Sequence, residues 1–69
     1  MQELKLIHEY ITLGQLLKAT GLAESGSDAR DMIVSGEAMV NGEVDTRRGR
    51  KLYDGDVVKC GGAEIKVVR

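Results

Sequence analysis

The sequence predicts an α+β fold, two short helices packed on a small antiparallel sheet, and three observations carry that prediction. Apolar residues recur at helical spacing between Leu13 and Ile33, the period changes to two from Glu37 onward, and Asn41-Gly42, Asp54-Gly55 and Gly61-Gly62 punctuate the second half with turns. At 69 residues the chain makes one domain, 1–69. A chain of this size buries only about 60% of its unfolded surface, so it has one core and a thin stability margin. With no Trp, no Phe and two Tyr, that core is built from Leu, Ile, Val, Met and Ala.

Glu3-Leu4-Lys5-Leu6-Ile7-His8 alternates polar and apolar and predicts an edge strand. Thr12-Leu13-Gly14-Gln15 has the spacing of a capping box, in which the Thr12 and Gln15 side chains each satisfy a free backbone N–H of the other. A helix therefore starts near Leu13, packs Leu13, Leu16 and Leu17 on one face, and ends at Gly21, which suits the left-handed position after a helix. The second helix is expected to take Ser27 as its N-cap and to carry Asp28 and Asp31 in its first turn, where the helix dipole favours anions. Ala29, Met32 and Ile33 form its inward stripe, and Gly36 stops it just after Ser35. Beyond it Ala38 and Val40 share one face of a strand, with Met39 on the other. Asn41-Gly42 is the favoured dipeptide of a type I' hairpin, and Glu43-Val44 returns. A basic loop follows. The strand Asp56 to Cys60, the turn Gly61-Gly62 and the strand Ala63 to Val68 complete an antiparallel meander.

Composition removes several classes of function. Cys60 is the only cysteine, so neither an internal disulfide nor a cysteine-rich zinc site can form, and a reducing cytoplasmic location fits. His8, the only histidine, lacks partners for a metal site and reads as a surface residue. No apolar run approaches the roughly 20 residues of a membrane span. A phosphate-binding Gly-Lys loop, a Gly-x-Ser-x-Gly elbow and a metal-spaced cluster are all missing, so the chain reads as a non-enzyme without cofactor or metal. Cys60 reads as a small strand residue, with nothing near it in sequence to activate a nucleophile.

Charge is the positive clue. Ten Lys and Arg stand against eleven Asp and Glu, a net charge of -1, yet Arg47, Arg48, Arg50 and Lys51 fall within five residues. Outside that stretch six cations face eleven acids, a balance of -5, so the rest of the surface repels nucleic acid and aims the patch.

Leu13-x-x-Leu16-Leu17, Gly21-Leu22-Ala23, Ser27-x-Ala29-Arg30-x-x-Ile33-x-x-Gly36, Val40-Asn41-Gly42-x-Val44 and Gly55-Asp56-Val57-Val58 follow one another in register. In this order they resemble the S4 RNA-binding domain, whose motif core would span about residues 11–58 of this chain. The resemblance implies the alpha-L motif of that family, two helices on a small antiparallel sheet acting as an RNA-docking module, here like its small stand-alone bacterial members. Family members often carry basic residues where this chain has Thr12, Gly26 and Glu37, and fewer cations in the loop that here holds Arg47, Arg48, Arg50 and Lys51. The contacts are thereby expected to shift onto the loop.

Guanidinium groups bind phosphate through paired hydrogen bonds and stack on exposed bases, which suits the three loop arginines to RNA. Arg30 and Lys18 are expected to line one wall of the same groove and Lys59 to extend the patch; the alternatives are surface pairing of Arg30 with Asp31 or Glu24 and a spectator role for the lysines. Tyr53 reads as a half-buried core residue, with base stacking as the alternative, and Tyr10 as a packing residue. The resulting expectation is a monomeric, cytoplasmic module for structured RNA, ribosomal RNA or a ribosome precursor, with the four loop cations on phosphates. An adaptor docking the loop on an acidic protein is the alternative from another class. DNA is disfavoured because neither helix is basic enough to read a major groove.

Overall fold

A computed structural model describes all residues from Met1 to Arg69. Its elements in chain order are β1 (Gln2–Lys5), β2 (Ile11–Thr12), α1 (Leu13–Ala19), α2 (Gly26–Val34), β3 (Ala38–Val40), β4 (Glu43–Val44), β5 (Lys51–Leu52), β6 (Val57–Cys60) and β7 (Ala63–Val68). Five strands form one sheet in the order β1-β7-β6-β3-β4, and β2 pairs with β5 in a separate two-stranded ladder. This is the expected α+β architecture of two helices on a small sheet.

Both halves of the α1 capping box form. The Gln15 N–H donates to Thr12 Oγ1 at 3.3 Å and the Thr12 N–H to Gln15 Oε1 at 3.0 Å. The α1 face of Leu13, Leu16 and Leu17 is fully buried, as are Ile33 of α2 and Ile65, Val67, Val58 and Leu52 of the strands. These side chains belong to a single cluster, so the periodicities of 3.6 and 2 in the sequence converge on one core. Asn41 and Gly42 both have positive φ, 52° and 87°, which is the backbone of a type I' turn and twists the β3-β4 hairpin in the direction its strands require.

The structure differs from the expectations in four places. The N-cap of α2 is Ser25 rather than Ser27: the Ser25 Oγ accepts from the Asp28 N–H at 3.2 Å, and Gly26 and Ser27 are already helical. Asp31 consequently lies beyond the first turn. The sheet is only mostly antiparallel, because β1 runs parallel to β7 with Leu4 opposite Val67. That pairing covers an edge of the final hairpin by a strand from the opposite end of the chain, a non-local contact to which no turn signal points. The C-terminal strands are also not one meander. β6 pairs with β3 and not with the returning arm β4, and Lys51 of the expected loop, with Leu52, pairs with Thr12 and Ile11, so the basic stretch ends in a strand at the foot of α1. Tyr53 and Tyr10, finally, are not in the core but 45% and 39% exposed.

Candidate nucleic-acid interface

The basic stretch is held from two sides. On one side the loop carbonyls serve the start of α1, where backbone N–H groups have no partner within the helix. Leu13 donates to the Arg50 carbonyl at 2.9 Å and Gly14 to the Arg48 carbonyl at 3.0 Å. On the other side stands Asp45, the only buried charged residue of the chain, with 7% of its surface exposed. Its Oδ1 accepts from Nε of Arg47 at 3.0 Å and from the Arg47 backbone N–H at 2.9 Å; its Oδ2 accepts from Nη2 of Arg47 at 2.8 Å and Nη1 of Arg50 at 2.7 Å. One carboxylate thus closes a paired bond to one arginine and joins it to a second, while the Arg50 N–H returns to the Arg47 carbonyl at 3.1 Å.

Four cations around one carboxylate leave a formal +3 between Asp45 and Lys51, and they are not equivalent. Arg47 is paired to Asp45 yet keeps its side chain 70% exposed, Arg50 is paired and 32% exposed, and Arg48 and Lys51 make no ion pair at all. Arg48 and Lys18 line a shallow groove of about 250 Å³ with Gly14, Gln15, Gly26 and Ala29, between the first turns of α1 and α2. Lys18 therefore shares this groove with Arg48. Arg30 is exposed on α2, neither lining this groove nor ion-paired to Asp31 or Glu24. Lys59 sits elsewhere, opposite Met39 on β6, where its ammonium pairs with Glu64 at 3.3 Å in a hollow that Glu37 also lines. Its side chain stays 60% exposed, and it lines a different hollow from the loop arginines.

Two residues that the sequence reading missed give the site its shape. Asp45 was hidden because an acid beside a run of arginines reads as ordinary surface charge; only the backbone bond from the Asp45 N–H to the Ala38 carbonyl at 3.1 Å turns it inward. Gly14 looks like a weak residue in the first turn of a helix, yet a Cβ there would lie 2.7 Å from Arg48 Cγ. The glycine lets the loop lie directly on α1. Gly14 is the second residue of α1, where alanine's advantage over glycine is at most the helix-interior value of about 1 kcal/mol. This offsets part of the cost of displacing Arg48 at its Cγ, so Gly14→Ala is expected to keep the protein folded while pushing the Arg48 side chain off the groove. Nucleic-acid affinity should fall severalfold with little change in melting temperature; unchanged affinity would show that Arg48 is not held there to any purpose.

The two arginines hold the Asp45 carboxyl well below the usual carboxylate range, the hydrogen bonds from Arg47 outweighing the opposing cost of burial. Because the folded pKa is depressed, this stabilisation is fully present above the unfolded value of about 4 and is lost as pH falls below it towards the folded value. Melting temperatures of wild type and Asp45→Asn should therefore differ by a constant amount above about pH 5 and converge below about pH 4. A gap that persists undiminished in acid would mean that the asparagine disturbs packing rather than charge. Cys60 is buried on β6, and burial, with Glu37 adding to it, pushes its thiol up and away from thiolate chemistry.

Comparison with known proteins gives concordant results. The family model described as S4 domain matches residues 4–68. In Bacillus subtilis (strain 168), a protein named "Probable ribosome maturation protein RlbA" is 52% identical over 54 residues, covering 78% of this chain and 76% of that one. In Escherichia coli (strain K12), one named "Putative RNA-binding protein YbcJ" is 38% identical over 61 residues, 88% of this chain and 87% of its own. The solution structure of YbcJ from E. coli, described as revealing an alpha-L motif involved in RNA-binding, superposes with a TM-score of 0.76 at 36% identity. The match covers all of this chain and 89% of that one. No helix of this protein is long and apolar enough to cross a membrane.

Proposed function

Because the chain belongs to the S4 domain family, we propose that it is a non-catalytic module that binds structured RNA through the loop Arg47 to Lys51, with ribosomal RNA or a ribosome precursor as the target. The observation that carries this reading is the Asp45 clamp: a buried carboxylate and two carbonyl caps fix the loop so that Arg48 and Lys51 face solvent without acidic partners. Ordering the loop before binding lowers the entropy lost when phosphates are engaged. The RNA-binding and ribosome-maturation names of the two relatives support the choice of ligand and of target respectively.

Phosphates are gripped first by Arg48 and Lys51, with Lys18 across the groove from Arg48. Arg47 keeps most of its guanidinium exposed and adds a contact without leaving Asp45. Arg30 contributes at longer range, and no role is assigned to Lys59. Recognition rests on backbone charge and shape, which suits the shallow minor groove and the loops of folded RNA. The protein works as a monomer in the cytoplasm. A docking site for an acidic protein would use the same charges, but no further observation favours it.

The test is a titration of the purified protein with a mixture of ribosomal-RNA hairpins and with duplex DNA at two salt concentrations, beside Arg47→Ala, Arg48→Ala, Arg50→Ala in one chain. RNA should bind better than DNA and weaken with salt, with a slope of about -0.7 to -0.9 per phosphate neutralised. Equal RNA binding by wild type and variant, or none by either at low salt, would defeat the reading.

A further inference from the structure

The two aromatic residues of this chain are both outside its core, and they are next to one another. Their placement follows from the β2-β5 ladder. Ile11 pairs with Leu52 and Thr12 with Lys51, so continuing the register by one rung sets Tyr10 across from Tyr53. Side chains alternate along a strand: Leu52 is fully buried and Ile11 half-buried against the core, which turns Tyr10, Lys51 and Tyr53 to the other side. Their ring centroids are 6.0 Å apart with the planes tilted by 50°, an ordinary aromatic pair geometry. The Lys51 ammonium, on the diagonal of the ladder, stands 4.9 Å from the Tyr10 centroid. One rung beyond Lys51 the same strand runs into Arg50 and the clamped loop, where Leu13 donates to the Arg50 carbonyl.

Tyrosines left half in water in a chain this short in core material call for a use. The position of Tyr53 is itself fixed: its N–H donates to Asp56 Oδ2 at 2.8 Å, so the ring is carried by a closed turn and not by a mobile loop. Rigid exposed aromatics beside a cationic strip match the two things an unpaired nucleotide presents, a π-face and a phosphate, and base-on-aromatic stacking is a general mode of binding for single-stranded nucleic acid.

We infer that Tyr10 and Tyr53 form a stacking platform for one unpaired RNA base, with Lys51 on the phosphate of that nucleotide, so that the module selects a bulged nucleotide within a helix rather than continuous duplex. The inference rests on the RNA-binding reading above and adds to it the kind of RNA site. Charge complementarity on the Tyr10 side picks the occupant: Lys51 stands at the aromatic pair and the arginine loop adjoins it on the same ladder, while Glu9 and Asp54 line a separate hollow beside Tyr53 together with Arg69.

The test uses two RNA hairpins of the same stem, one carrying a single bulged 2-aminopurine and one fully paired, with wild type, the double variant Tyr10→Ala, Tyr53→Ala, and the corresponding double phenylalanine variant. Wild type should bind the bulged hairpin about tenfold more tightly and quench the 2-aminopurine fluorescence on binding. The alanine variant should bind both hairpins equally, at the wild-type affinity for the paired one, and the phenylalanine variant should restore preference and quenching. Circular dichroism of the alanine variant checks the fold, and the phenylalanine pair carries the result if that variant is unfolded, since it must keep the preference. If wild type binds both hairpins equally without quenching, the platform is overturned while the RNA-binding module stands. If neither hairpin binds at low salt, both fall.

Discussion

Leu52→Ala is expected to lower the melting temperature by at least about 10 °C and to unfold a measurable fraction of the protein at room temperature. Leu52 is fully buried and sits in the core between the ladder and the helices. Truncating a buried leucine to alanine costs about 2–5 kcal/mol, from lost transfer energy plus the cavity left behind. A single core in a chain of this length supplies little more than that, about 3–5 kcal/mol, and 1 kcal/mol shifts the midpoint of so small a domain by about 4–8 °C. The same substitution should reach the interface, because Leu52 anchors the strand from which Lys51 and Tyr53 project. Urea denaturation of wild type, Leu52→Ala and Leu52→Val would measure this, with the valine intermediate. A fall of only a few degrees in the alanine variant would mean that the β2-β5 ladder is peripheral to the fold.

The second large effect is on binding. Replacing Arg47, Arg48 and Arg50 with alanine should lower RNA affinity on the order of 100-fold at low salt and reduce the magnitude of the salt slope by about two to three, because phosphate contacts act through released counterions. Two causes combine in that variant. Phosphate ligands are lost, and the buried Asp45 is left as an unpaired anion beneath the surface that RNA approaches. The companion variant Arg48→Ala, Lys51→Ala separates them, since it removes the two cations without acidic partners and leaves the Asp45 clamp whole. Its melting temperature should stay at the wild-type value while the slope falls by about two. Should this pair bind like wild type while the triple variant fails, the failure of the triple variant belongs to the broken clamp and not to lost phosphate contacts.

The stretch from the end of β2 to β4 was legible almost residue by residue, because its signals are local. Thr12 and Gln15 cap α1 by reaching three residues along the chain, Leu13, Leu16 and Leu17 share a face by helical geometry alone, and Asn41-Gly42 adopts the one turn its backbone favours. Ser25 was misread in favour of Ser27 because two serines flank one glycine, and either could cap; the resulting shift of the α2 start moved Asp31 out of the first turn. Register along this stretch, continued by Gly55-Asp56-Val57-Val58, also carried the family resemblance.

The loop shows where local signals stop. Its four cations, and hence the presence of a basic site, were determined by the sequence alone. Their division of labour was decided by tertiary structure. Arg47 and Arg50 are held by a carboxylate that becomes buried only when Asp45 pairs back to Ala38; Arg48 lies on Gly14 because a helix start needs the loop's carbonyls; Lys59 is claimed by Glu64 across the β6-β7 hairpin. Tyr10 and Tyr53 meet across 43 positions of sequence only because Ile11 and Leu52 are drawn to the same core. Composition and periodicity fix what a segment is through interactions within a few residues, whereas which charge remains free and which ring remains exposed depends on neighbours that the folded chain alone brings together.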